Sequence, residues 1–366
     1  MLPVLNRNPL LTFLGLFREL FLTCLPSTHY FCQKIDYLNK STKIILNYLL
    51  GTVLFAWLTY SIYHQLVNRD NLQISLEHMG DSLRRKGWAG VALVFILMFF
   101  NWGLEARKWQ KLVRLLEDVS FFKAFSAILS GVSLSINTPN RIGEYGGRIL
   151  YLKNENKLKA IAATIVGSFS QLIITIIFGL IGLLYYVNNF PPSSESIFLD
   201  PGFWHKLLLS VLIVICALTV LLYFRLQIIL WVFDKVPFLR KAKVYIEIIV
   251  QYPPSELRYL LLLSAFRYIV FSAQYLILLD ALGMEFMWWQ GFLLNSVIYL
   301  VMAGVPTIAI AELGVRGKVS IFFLGLLSTN TMAIIAATVG IWLINLVLPA
   351  FFGSVLLLGV KIFKEK

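Results

Sequence analysis

The sequence predicts an all-α integral membrane protein with about six full transmembrane helices and two inverted re-entrant helical hairpins. Three observations lead to this prediction. The 366-residue chain is 58% hydrophobic and only 14% charged, its basic residues are unevenly shared among the segments that join the apolar stretches, and it contains the pentapeptide E-x-G-x-R twice. Together these features indicate a polytopic protein with an internal repeat.

The apolar stretches define the predicted spans, because a helix needs about 20 apolar residues to cross the hydrocarbon core of a bilayer. Six stretches qualify: residues 44–64, 88–108, 160–187, 206–224, 258–280 and 332–360. With both termini cytoplasmic, the inner segments contain 22 Lys and Arg residues and the outer segments contain 5. This asymmetry follows the positive-inside rule. The external position of residues 65–87, which include Arg84, Arg85 and Lys86, stays open.

The remaining segments flank or interrupt this membrane domain, which covers residues 44–360. Residues 1–43 are predicted to be an interfacial and cytoplasmic segment, because Arg18 and Glu19 interrupt the apolar stretch and no A-x-A cleavage site follows. Residues 226–252 mix apolar and basic side chains, which predicts an amphipathic surface segment on the anionic inner leaflet. Residues 361–366 form a basic C-terminal tail.

Two apolar segments do not fit as ordinary spans, because the chain must return to the side from which it entered. We therefore predict re-entrant hairpins at about residues 121–158 and 286–330, entering from opposite sides. The two copies of E-x-G-x-R, Glu144 to Arg148 and Glu312 to Arg316, lie at their tips. Composition alone predicts roughly 0.03 copies of this pattern, so we interpret the pair as an inverted repeat. Broken helices in inverted repeats are typical of transporters.

The hairpin tips contain the candidate binding site. The candidate residues are charged or polar groups at the tips, together with one arginine in the middle of a predicted span: Arg141, Glu144, Arg148, Glu312, Arg316, Asn137, Asn140 and Arg267. An ionised group at the centre of a span costs ~2.5 to 3.5 kcal/mol, so these charges must be paired or hydrated.

Three tip arginines face two tip glutamates, which leaves one positive charge for an anionic ligand. The planar fork of arginine suits phosphate. The alternative is that each glutamate pairs with an arginine and only holds the hairpins together. Ser168, Ser170 and Gln171 are weaker candidates for a cavity wall.

Other chemistry has little support in the sequence. The cysteines at 24, 32 and 216 have no C-x-x-C spacing, and no H-E-x-x-H or G-x-x-x-x-G-K-[ST] pattern occurs. We therefore expect no metal and no cofactor. The segment Trp102 to Trp109, which includes Glu105, Arg107 and Lys108, is interpreted as an anchor at the inner membrane interface.

Three segments resemble a known family, the lysylphosphatidylglycerol synthase transmembrane region, also called flippase-like, over about residues 44–360. They are Trp102 to Trp109, the polar tip Asn137 to Glu144, and Pro306 with the late tip Gly314-Val315-Arg316. Many members have Gly-x-Arg-Glu at the late tip, whereas here Gly317 follows Arg316. Members that synthesise lysyl lipid carry a soluble aminoacyl-transfer domain after the membrane region; this sequence has none, so no synthase activity is expected.

The resemblance implies lipid handling, with translocation of a head group between leaflets of a bacterial or archaeal cytoplasmic (inner) membrane. The expected function is therefore a flippase-like transporter for an anionic phospholipid or a polyprenyl-phosphate-linked lipid. We expect no enzyme activity and no nucleic-acid partner, and a homo-oligomer stays open. Two alternatives remain: a membrane transferase that uses a polyprenyl-phosphate sugar donor, with Glu144 or Glu312 as general base, and a non-transporting partner subunit.

Overall fold

The computed structural model of the protein describes residues 80–136, 138, 141–190, 201–228, 231, 235, 245, 247–305 and 309–358. Every regular element of this described part is helical, which confirms the all-α prediction. The helices are α1 (Trp88–Val113), α2 (Phe121–Ser135), α3 (Gly143–Ile149), α4 (Lys157–Asn189), α5 (Pro201–Phe224), α6 (Pro254–Ala281), α7 (Trp288–Gly304), α8 (Ala309–Leu324), α9 (Thr331–Trp342) and α10 (Leu348–Leu358). Short 3-10 turns occur at Asn154–Asn156 and Glu247–Gln251, and π-helical turns at Leu83–Gly87 and Leu343–Val347.

Within the described residues, four helical stretches are long and apolar enough to cross a membrane: Trp88–Val113, Asn154–Asn189, Pro254–Ala281 and Thr331–Leu358. They coincide with four of the six predicted spans. The span predicted at 206–224 lies in α5, whose apolar part, Leu209–Phe224, is shorter. The span predicted at 44–64 lies outside the described residues, as do residues 1–43 and the tail 361–366. The protein is therefore an all-α membrane protein.

Each predicted hairpin consists of two helices separated by a break. In the first hairpin, α2 has 15 residues and α3 has 7, and the two helices pack against each other. In the second, α7 has 17 residues and α8 has 16, and these also pack together. All four are shorter than the ~20 residues that a full span requires. The re-entrant course of the hairpins in a bilayer stays a prediction.

The longer helices pack around these hairpins. Helix α1 packs along α6, α4 along α7, and α2 along α10. The largest apolar core includes residues from most of these helices, such as Trp109, Ile128, Leu279 and Leu294. Both ends of the predicted surface segment 226–252 are also buried. A second core joins residues of α1, α4 and α6 with Leu226 at one end of the segment and Ile248, Ile249 and Tyr252 at the other. This segment is thus attached to the bundle at both ends.

The loop after α1 is held by Glu117. Its carboxylate accepts hydrogen bonds from the backbone N–H of Lys153 at 3.0 Å and from the side-chain amide of Asn156 at 3.2 Å, and it lies 3.5 Å from the ammonium of Lys123. Partial burial raises the pKa of Glu117, but these three groups together outweigh burial and hold the pKa below its usual value. Glu117 therefore connects the loop after α1 to the turn before α4.

The first hairpin depends on a close approach of two glycines. A Cβ atom on Gly147 would lie 2.5 Å from the Cα of Gly131 and 2.6 Å from its backbone nitrogen, so α3 rests directly on the backbone of α2. A side chain at this position must push the two helices apart. The hairpin that carries Arg141, Glu144 and Arg148 is thus positioned by the lack of a side chain at Gly147.

We expect Gly147→Ala to lower the free energy of unfolding by about 1 to 3 kcal/mol, the usual cost of overpacking. Denaturant or thermal unfolding in detergent micelles measures this change. The matched control is Gly146→Ala. A Cβ atom at position 146 would have no atom of another helix within 4 Å. Alanine is the better helix former, so the control should be neutral or slightly stabilising. Equal stabilities of the two variants would contradict this account of the hairpin.

Candidate anion-binding site

The first hairpin tip is an unusual turn that directs Arg141 toward the second hairpin. Arg141 has a backbone φ of 56°, in the left-handed region that costs a non-glycine residue ~1 to 2 kcal/mol. The side-chain hydroxyl of Thr138 supports the turn by accepting a hydrogen bond from the N–H of Gly143 at 2.8 Å. Asn137 and Asn140, the other predicted site residues of this tip, lie outside the described residues.

The two tips meet at Glu312. Arg141 Nη2 lies 2.9 Å from Glu312 Oε2 and 3.2 Å from Oε1. On the same helix as Glu312, Arg316 Nη2 donates to Glu312 Oε1 at 2.7 Å. Glu312 is 8% exposed. One nearly buried carboxylate therefore binds one arginine from each hairpin.

A second charged cluster is centred on Glu105 of α1. Glu105 Oε2 lies 2.8 Å from Lys108 Nζ and 3.5 Å from Arg267 Nε, and Oε1 lies 3.1 Å from Arg148 Nη2. Arg148 also binds Glu144 one turn earlier in α3. Three cations from α1, α3 and α6 thus share one buried carboxylate. Arg148 is 4% exposed and Lys108 is 2% exposed.

The interpretation of Trp102 to Trp109 as an interfacial anchor was wrong for most of its residues. Glu105, Lys108 and Trp109 are buried inside the bundle, and the indole N–H of Trp109 donates to Thr164 Oγ1 at 3.1 Å. Arg107 alone among the charged residues of this segment is exposed. The missed signal was the spacing of Asn101, Glu105 and Lys108, which at i, i+4 and i+7 lie on one helix face.

A cavity of about 600 Å³ lies beside both clusters. The charged residues that line it are Arg141, Arg267, Arg316 and Glu312. Glu144 and Arg148 do not line it; they lie in the Glu105 cluster behind the wall. Counted over both clusters, five cations of the described residues face three carboxylates, a surplus of two positive charges.

Aromatic and amide side chains complete the cavity wall: Asn101, Trp102, Gln171, Tyr268, Phe271, Tyr299, Trp342 and Asn345. The guanidinium of Arg267 lies 5.4 Å from the ring centre of Trp102 and donates to Gln171 Oε1 at 3.3 Å. The guanidinium of Arg316 lies 5.7 Å from the ring centre of Tyr299. These contacts add no negative charge, because aromatic faces and amides carry no formal charge. The carboxylates beside these two arginines are Glu105, 3.5 Å from Arg267, and Glu312, 2.7 Å from Arg316.

The site is suited to an anion with several oxygen atoms. Within the described part of the chain, the buried indole N–H of Trp102 and the hydroxyl groups of Tyr268 and Tyr299 have no hydrogen-bond partner. The side-chain N–H groups of Trp342 and Asn345 are also without a partner, against one unpartnered amide oxygen, that of Asn101, so N–H donors predominate in the described part of the wall. In the same described part, no group of three or more His, Cys, Asp or Glu side chains comes together as metal ligands would. Ser168 and Ser170 bind backbone and neighbouring hydroxyls instead of lining the cavity.

The fold and the site define a class: helical membrane proteins in which two broken-helix hairpins meet beside a positively charged cavity. The chain belongs to the family described as the lysylphosphatidylglycerol synthase TM region, which it matches over residues 44–353. This match confirms the resemblance seen in the sequence and indicates a lipid-related function in the membrane. Comparison with curated proteins finds no match.

Proposed function

We propose that the protein is a flippase-like transporter that binds the phosphate of a lipid head group in the central cavity and moves that head group between leaflets. The observation that supports this proposal is the surplus of two positive charges in the two clusters, where five cations face three carboxylates and three of the cations, Arg141, Arg267 and Arg316, line the cavity. Uncompensated buried charge is costly, and a phosphate group compensates it with hydrogen bonds to guanidinium forks. An anionic phospholipid or a polyprenyl-phosphate-linked lipid supplies such a group.

The contacts of Glu312 provide a mechanism for exchange. Glu312 binds Arg141 of the first hairpin and Arg316 of the second. A phosphate that enters the cavity competes with Glu312 for these two arginines, which loosens the link between the hairpin tips. Because the link connects the two halves of the repeat, its release lets the hairpins move relative to each other. Such motion around a fixed site is how inverted-repeat transporters expose it alternately.

The rival functions are less well supported by the site. A transferase needs a carboxylate that is available as general base, but Glu144 and Glu312 each accept hydrogen bonds from arginine. This arrangement favours a carboxylate that holds cations over one that removes protons, so we propose that the protein is not an enzyme. A non-transporting partner subunit would have no need of the cavity charge, and its lipid binding would not depend on it.

The test is the double variant Arg267→Gln/Arg316→Gln, which removes the surplus charge while leaving Glu312 paired with Arg141 and Glu105 paired with Lys108 and Arg148. Hydrogen bonds to charged groups contribute ~1.5 to 3 kcal/mol each, so scrambling of a fluorescent phospholipid in reconstituted vesicles should fall at least about tenfold. Lys153→Gln/Lys157→Gln removes the same charge outside the cavity and should scramble normally. Unchanged scrambling by the cavity variant would disprove the proposal.

We further propose that the protein resides in a bacterial or archaeal cytoplasmic membrane with both termini inside, as the distribution of basic residues indicates. Its partner is then an anionic lipid of that membrane. Lys153 precedes α4, and Glu285 follows α6. Cysteines introduced at these two positions, in a background without Cys24, Cys32 and Cys216, should react with impermeant reagents from opposite sides. Labelling of both from one side would contradict this orientation.

A further inference from the structure

A second cavity, of about 350 Å³, lies between the last turns of α1 and the first turns of α6. Its wall includes Arg107, Lys111, Tyr252, Ser255, Glu256 and Tyr259. None of these residues lines the central cavity. Trp102 lines the central cavity, and Arg107 lies five residues later in α1, which is about 8 Å along the helix axis. We call this second cavity the surface cleft.

The surface cleft is positively charged. Arg107 and Lys111, one turn apart, lie on the same face of α1 and contribute two positive charges, whereas Glu256 of α6 contributes one negative charge. Within the described part of the chain, neither cation forms an ion pair with a carboxylate. Arg107 uses one N–H group to bind Gln110 at 2.7 Å, which leaves the rest of its fork available, and Lys111 Nζ lies 5.7 Å from the ring centre of Tyr259.

The walls of the surface cleft are fixed in place. The buried hydroxyl of Tyr252 donates to the backbone carbonyl of Leu112, which ties the turn before α6 to the end of α1. Tyr259 is 37% exposed and lies at the rim. Tyrosine is enriched where a membrane helix meets the polar interface, because its ring is apolar and its hydroxyl is polar. The cleft therefore lies where the basic ends of two membrane helices meet the interface.

We propose that the surface cleft is a second anion site, which binds the phosphate-bearing head group of a membrane lipid at the basic side of the protein. The phosphate contacts Arg107 and Lys111, while the Ser255 hydroxyl and the Glu256 carboxylate accept hydrogen bonds from hydroxyl or amino groups of the head group. Basic pockets between helix ends on the cytoplasmic side bind anionic lipids in this way. The volume is at the lower end of that of small-molecule pockets and suits a head group without its acyl chains.

The test uses Ser255→Cys, at an exposed position of the wall, in the full chain without its three native cysteines. The chain is placed in nanodiscs of phosphatidylcholine with or without phosphatidylglycerol, and the rate of reaction with an uncharged maleimide is measured. We expect phosphatidylglycerol to slow the reaction. Arg107→Gln/Lys111→Gln should abolish this protection. Lys153→Gln/Lys157→Gln, which removes the same charge at the same end of the bundle, should retain it.

Two further arms make the result decisive. Arg107→Lys/Lys111→Arg keeps both charges and should keep the protection, so a loss in the glutamine variant cannot be attributed to misfolding alone. Inorganic phosphate is added to phosphatidylcholine nanodiscs in place of the anionic lipid. If inorganic phosphate slows the reaction as much as phosphatidylglycerol does, the ligand is a soluble anion and the proposal of a lipid ligand is wrong. If neither phosphatidylglycerol nor inorganic phosphate changes the reaction rate, the surface cleft is not an anion site, whatever the result for the central cavity.

Discussion

Glu105→Ala is expected to cause the largest loss of stability of any single substitution in the charged interior. It removes the carboxylate that holds Lys108, Arg148 and Arg267, and it leaves Lys108 with no carboxylate among the described residues. Breaking a buried ion pair by removing one partner costs ~3 to 5 kcal/mol, because the remaining charge stays buried. Denaturant unfolding in detergent micelles measures the difference from the wild type.

Two comparison variants distinguish the cost of leaving a buried cation unpaired from the cost of removing a glutamate side chain. Glu155→Ala removes an exposed glutamate and should change stability by no more than ~0.5 kcal/mol. Glu105→Gln/Lys108→Met removes both charges of one pair at similar volume and should recover much of the loss, since apolar replacement of buried pairs is often tolerated. If Glu105→Ala were as stable as Glu155→Ala, the Glu105 cluster would not stabilise the bundle.

The second large effect is a contrast between two arginines that the sequence presents as equivalent. Arg316 lines the cavity and Arg148 does not. Arg316→Lys keeps its charge beside Glu312 but loses the planar fork, so lipid scrambling should fall about tenfold, equivalent to about 1.4 kcal/mol, with little change in unfolding. Arg148 Nη2 contacts both Glu105 and Glu144, and the shorter lysine side chain of Arg148→Lys cannot place its ammonium at the same point, so the variant should lower stability and leave scrambling per folded molecule nearly unchanged.

Scrambling rates are normalised to folded protein, determined by size-exclusion chromatography, and set beside unfolding midpoints of the same preparations. A loss of scrambling in both variants would place Arg148 in the transport mechanism as well. Wild-type rates in both would mean that the repeated E-x-G-x-R serves as a structural clasp between the hairpins, which is the alternative that the sequence left open.

Several features of the protein could be predicted from local sequence patterns. Length and hydropathy identified the spans at 88–108, 160–187, 258–280 and 332–360, because the membrane requires a minimum apolar length. The repeated pentapeptide indicated paired charge inside the bundle at both of its copies, since an ionisable group in an apolar chain is retained only where it is paired or hydrated. The intrahelical pairs Glu144 with Arg148 and Glu312 with Arg316 follow from their i, i+4 spacing.

Other features depend on which helix faces meet. The sequence by itself determined that charge is buried in a membrane protein of this family, and that arginine exceeds glutamate at the tips. Only the tertiary structure decided that Glu105 binds Arg148 and Arg267, and that Arg141 joins Arg316 at Glu312. Ion pairs between residues 43 to 171 positions apart depend on helix packing, and many packings satisfy the same local pattern. Packing therefore determined which cations are neutralised and which face the cavity.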